Sequence, residues 1–161
     1  MSISDQIVVM RSGVLQQLGK PQDIYDAPVN LFVAKFLGTP PISVFRGAVR
    51  GGGLYIGDDR ILSADGLPDQ EVFVGIRPEG FLPTDSGALR CVLKGVEVMG
   101  RDISIIAAND ACTAPTIRAI VSSDARAHLD ALSGTVRFDV KPGKVHIFSG
   151  NTEERLLPVV R

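Results

Sequence analysis

Hydrophobic and polar positions change rhythm near residue 40, and the change divides the chain into two kinds of segment. Asp5-Gln6 leads into Ile7-Val8-Val9-Met10, a continuous apolar run of the kind found in a strand covered on both faces. Arg11-Ser12-Gly13 supplies a tight turn, and Val14 to Leu18 is its hairpin partner. Pro21 suits the first turn of a short helix, where its missing N–H costs nothing. Asn30 suits the N-cap of a second helix, whose Leu31, Phe32, Val33, Phe36 and Leu37 form an apolar surface ended by Gly38. Thr39-Pro40-Pro41 stops any helix and reads as a linker, which places a boundary near residue 40.

Beyond it the pattern is short strands with turn residues between them. Val44 to Arg50 ends at Gly51-Gly52-Gly53, Leu54-Tyr55-Ile56 follows at hairpin distance, and Gly57-Asp58-Asp59 leads to Arg60-Ile61-Leu62. Glu71 to Ile76 alternates, Arg90 to Met99 does so more strongly, and Asp102 to Ala107 answers it across Gly100-Arg101. Thr116 to Val121, Thr135 to Val140 and Val145 to Phe148 complete the strands. One helix is predicted over Ala125 to Leu132, capped by Ser123 or Asp124. Strands at this spacing, with a single helix, predict a small barrel or sandwich over residues 41–150. Residues 151–161 form a tail, expected either to be disordered or to lie along a sheet edge.

Length and charge narrow the class. At 161 residues the chain suits one medium domain with a short appendage, burying roughly 70% of its unfolded surface. A net charge of −1 gives no basic footprint for nucleic acid, and 6% aromatic residues without Trp leave few stacking platforms for single strands. No apolar run approaches the ~20 residues needed to cross a bilayer, and the first residues lack a signal-peptide pattern, so a cytoplasmic location is expected. Cys91 and Cys112 form no Cys-x-x-Cys pair, and Cys91, in an alternating apolar run, reads as a buried free thiol.

Catalytic patterns are missing. Gly19-Lys20 is followed by Pro21 and has Val14 where a phosphate-cradling loop needs its first glycine. The glycine run at 51–53 is flanked by strands and reads as a hairpin turn. No nucleophile elbow occurs, and His128 and His146 have no neighbours at metal-ligand spacing. His128 is expected to be exposed on its helix, and His146, alternating with Val145 and Ile147, to face solvent or a partner. Asp58-Asp59 and Glu153-Glu154 read as solvated turn and tail carboxylates. No catalysis, metal or cofactor is expected.

Val74-Gly75-Ile76-Arg77-Pro78-Glu79 is the landmark of the second half. Gly75 marks a close backbone approach within a strand, and Pro78 ends that strand. Arg77 and Glu79 project at its end, where the guanidinium can fork onto a carboxylate or onto backbone carbonyls. A structural clamp is one reading and a ligand-contacting pair the other.

This hexapeptide, with Val98-Met99-Gly100-Arg101-Asp102 and the closing run Phe138-Asp139-Val140-Lys141-Pro142-Gly143-Lys144-Val145-His146-Ile147-Phe148, resembles the C-terminal regulatory (transport-associated OB) domain of sugar-type ABC importer ATP-binding subunits. The maltose, multiple-sugar and glycerol-phosphate importers belong to that family. Residues 5–40 resemble the end of its ATPase domain, so the resemblance covers nearly the whole chain in family order. It implies a mainly β, OB-fold-like barrel of two interleaved OB units with a short helical segment ahead of it. It also implies a domain that pairs with a second ATPase subunit beside membrane permease subunits, and in some members receives a regulatory protein. Gly75, Ile76, Arg77, Pro78, Glu79, Gly100 and Asp102 carry the signature. Ile42-Ser43-Val44 departs from the usual methionine-asparagine pair, and the nucleotide-binding motifs are absent, so ATP binding does not carry over.

The resemblance gives residues 1–40 the role of an ATPase-domain remnant whose sheet edge is left uncovered. Val8, Val9, Leu15, Phe32 and Phe36 are the candidate interface, so residues 5–18 are expected either to pack in a homodimer or to be poorly ordered. The alternative is a small-molecule sensor for oxyanions or sugars, with Arg77, Arg90 and Arg101 as anion contacts.

Overall fold

The structure, a computed structural model, describes residues 6–128 and 134–157. Strands β1 (Ile7–Arg11) and β2 (Val14–Gly19) form a two-stranded antiparallel sheet. Their turn places Ser12 and Gly13 at φ of 50° and 79°, the left-handed conformation that a two-residue hairpin loop requires. Helices α1 (Pro21–Asp26) and α2 (Leu31–Phe36) follow, and Asn30 caps α2 by accepting the Val33 N–H at 2.9 Å. The expected double-faced burial of β1 does not hold. Only Val9 is buried, under Ile24 of α1 and Val33 of α2, because the helices cover one face and leave Val8 and Met10 exposed.

The remaining strands are β3 (Ser43–Arg50), β4 (Gly53–Ile56), β5 (Asp59–Ser63), β6 (Gln70–Ile76), β7 (Phe81–Pro83), β8 (Leu89–Met99), β9 (Asp102–Ala108), β10 (Ile117–Ser122), β11 (Thr135–Val140), β12 (Val145–Ser149) and β13 (Arg155–Leu156). They form a six-stranded sheet ordered β13-β12-β6-β3-β4-β5 and a five-stranded sheet ordered β10-β9-β8-β11-β7. The chain leaves the first sheet after β6, builds the second, and returns with β12, so the sheets are interleaved in sequence. Both bury one shared core around Phe45, Val74, Ile76, Phe81, Leu89, Ile105 and Phe138. Arg46 and Thr113 N–H groups stitch the sheets together, donating to Ala111 and Val44 carbonyls at 2.8 Å. The fold is mainly β, an OB-fold-like, nearly closed barrel.

A second apolar cluster lies on the outer face of the six-stranded sheet. There Leu31 and Ala34 of α2 pack on Ile42, Val44 and Phe148, so the end of β6 and β12 from Val145 to Phe148 are covered on both faces. Strand β13 pairs with β12 along the sheet edge. Ser123–His128 forms a 3-10 turn in place of the start of the expected helix; its remainder and the placement of the His128 side chain lie outside the described residues.

Candidate functional site

Arg77 stands at the end of β6, just before the 3-10 turn Pro78–Gly80, with 1% of its surface exposed. A buried guanidinium demands acceptors, and backbone carbonyls supply them. Nη1 donates to the Ala34 and Leu37 carbonyls at 2.9 Å each, and Nη2 donates to the Tyr25 carbonyl at 2.9 Å. Those oxygens lie at the C-terminal ends of α2 and α1, where helical carbonyls lack partners within the helix. One barrel side chain therefore caps both helices. Of the two readings of this landmark, the clamp is the one formed.

The clamp continues through Tyr25. Its ring lies 3.9 Å from the Arg77 guanidinium carbon, and its hydroxyl donates to Glu79 Oε1 at 2.5 Å. Lys144 Nζ sits 3.7 Å from the same carboxylate. Burial first, then the hydrogen bond to Glu79, push the Tyr25 hydroxyl well above its ordinary pKa, so it stays a donor. Burial lowers the Arg77 pKa, opposed by the nearby Glu79 and Asp26 carboxylates.

Gly75 occupies the position beside this site where a Cβ would come within 2.7 Å of Ile42 Cδ1. Gly75, Ile76, Arg77, Pro78 and Glu79 are thus one local unit: close approach, inner-core residue, clamp, strand stop and acceptor. Gly100 turns β8 into β9 at φ 65°, and Asp102 shares with Glu79 an open cleft of about 510 Å³ that also includes Asp124 and Lys141. Among the described residues no group of three His, Cys, Asp or Glu could hold a metal ion.

His146 departs from its expected place. It is 2% exposed, because α2 and the linker cover the face of β12 that alternation assigned to solvent or a partner. Burial, followed by Arg155 and Arg77, pushes its pKa down to about 4. Cys91 is buried as expected, and desolvation pushes its thiol up to about 12. Val8, Leu15 and Phe36 of the candidate interface are 51%, 56% and 58% exposed, Phe32 is half-buried, and Val9 is interior. The arginines singled out for anions do not assemble. Arg77 is spent on carbonyls, Arg90 pairs with Asp59 at 3.4 Å, and Arg101 lies beyond the opposite end of β8, roughly 30 Å from Arg90.

Sequence reasoning missed Tyr25, Lys144 and the helix-end carbonyls. Main-chain acceptors carry no residue signature; the one available signal was an arginine placed directly after a buried strand.

The chain is thus an OB-like barrel that holds a hairpin and two short helices on an arginine clamp. No protein-family model matches the chain. Over 97% of its length it is 35% identical to the sn-glycerol-3-phosphate import ATP-binding protein of Jannaschia sp.. Over the same share it is 31% identical to the diacetylchitobiose uptake system ATP-binding protein of Streptomyces coelicolor and 32% identical to the oligosaccharides import ATP-binding protein of Bacillus subtilis. Over nearly its whole length the chain is homologous to part of the sugar-type ABC importer ATP-binding subunits. It spans 43%, 47% and 46% of the length of these three relatives. No helix among the described residues is long and apolar enough to cross a membrane.

Proposed function

We propose that this chain is a regulatory and pairing module of an ABC importer's ATP-binding subunit, acting in the cytoplasm beside membrane permease subunits and carrying out no catalysis itself. The observation that carries this reading is the Arg77 clamp, which ties residues 21–37 to the barrel through three hydrogen bonds from one buried guanidinium. A segment tied in this way moves with the barrel. A displacement of the barrel is then passed to whatever the hairpin touches, as a regulator that biases two states requires. The solute class follows the relatives, whose names specify glycerol phosphate and oligosaccharides.

Pairing uses the uncovered face of the hairpin, where Val8 and Leu15 expose apolar surface, together with the exposed Phe36 of α2. Light scattering over a hundredfold concentration range is expected to give a dimer, and removal of residues 1–19 to shift the mass toward monomer. A monomer at every concentration, or a dimer indifferent to that deletion, overturns the pairing role.

A further inference from the structure

A cleft of about 380 Å³ opens where α2, the double-proline linker, the start of β3 and the loop before β10 meet. Lys35, Ser43, Thr113, Thr116 and Arg118 line it, and no carboxylate does among the described residues. In a chain of net charge −1, a cleft walled by two cations and three hydroxyl-bearing residues is a local excess of donors. Lys35 stands in the last turn of α2 with no acceptor among the described residues. Arg118 meets Glu97 and Ser104 Oγ through Nη1 alone, at 3.1 and 3.2 Å, leaving its other donors unengaged among the described residues. The carbonyls at the end of α2 do not oppose an anion, because Arg77 already occupies those of Ala34 and Leu37.

We infer that this cleft binds the phosphate monoester of a small polyol. A tetrahedral dianion can accept from an ammonium, a guanidinium and several hydroxyls at once. The volume lies at the small end of ligand sites, which suits a phosphate with a compact body rather than a nucleotide. The two prolines give that body a rigid wall. An occupant would join Lys35, on the clamped segment, to Arg118, on the five-stranded sheet, and so stiffen the junction between segment and barrel. The site is distinct from the hairpin face used for pairing, so each idea fails separately.

The test is calorimetric titration of the whole chain with glucose 6-phosphate and inorganic phosphate, with glucose and ionic-strength-matched chloride as controls. Glucose 6-phosphate is expected to bind and glucose not to. Lys35→Glu and Arg118→Gln should each weaken binding at least tenfold while leaving the melting temperature of the unliganded protein within about 2 °C. Equal binding by wild type and Lys35→Glu overturns the site, as does no heat beyond the chloride control. Binding of inorganic phosphate with exclusion of the ester overturns the assigned ligand class.

Discussion

His146 gives the fold a dependence on acid. Its imidazole lies between β12 and the clamped segment, with Arg155, Arg77 and Lys144 disfavouring its charged form and Asp26 favouring it. In the unfolded chain a histidine titrates near 6.5, whereas here its pKa is pushed down to about 4. Between those values the unfolded state binds more protons, so stability is complete above about pH 7 and falls as pH drops through that window. The full window corresponds to about 3 kcal/mol. His146→Leu is expected to flatten the acid limb of stability against pH in urea titrations run from pH 7 to 4. An unchanged limb would show that the imidazole is hydrated in the folded protein.

At the scale of elements, two glycines mark where neighbouring segments approach too closely for a side chain. A Cβ on Gly75 of β6 meets Ile42 Cδ1 at 2.7 Å, the movable end of a side chain. A Cβ on Gly87, ahead of β8, meets Phe138 backbone atoms of β11 at 2.5 and 2.6 Å, and these cannot give way. Gly75→Ala is therefore expected to cost about 1 kcal/mol and Gly87→Ala about 3 kcal/mol, read from urea midpoints. A reversed order would mean that the outer layer around Ile42 is the stiffer one. Strands with clear alternation and glycine turns, such as β3 to β6 and β8 with β9, were legible in the sequence because their signal is local. Strand β7 was not, since three residues that follow Gly80 and end in Pro83 carry no period. His146 was misplaced for a related reason: alternation tells that two faces differ, but not that α2 lies over the second. Arg77 was legible as a clamp, yet the identity of its carbonyl partners was not.

For the molecule as a whole, the clamp decides whether the N-terminal segment and the barrel behave as one body. Residues 7–37 have a small core of their own around Val9, Ile24 and Val33, too little to stand alone. Arg77→Met would leave the Tyr25, Ala34 and Leu37 carbonyls without their donor, at a cost of about 3 kcal/mol or more to the docked segment. Trypsin should then cut at Lys35 well before the barrel is digested, whereas the wild-type segment resists. Equal resistance in the variant would mean that the apolar contacts of Leu31 and Ala34 hold the segment without the guanidinium.

The edge strand β13 reaches the opposite part of the chain. The Arg155 N–H donates to Val29, the Leu31 N–H donates to Glu153, and Asn30 and Glu154 form an antiparallel bridge. During synthesis the start of α2 leaves the ribosome about 120 residues ahead of its partner. At typical elongation rates it then waits on the order of 10 s. Its docking is thus a late event in the birth of the molecule.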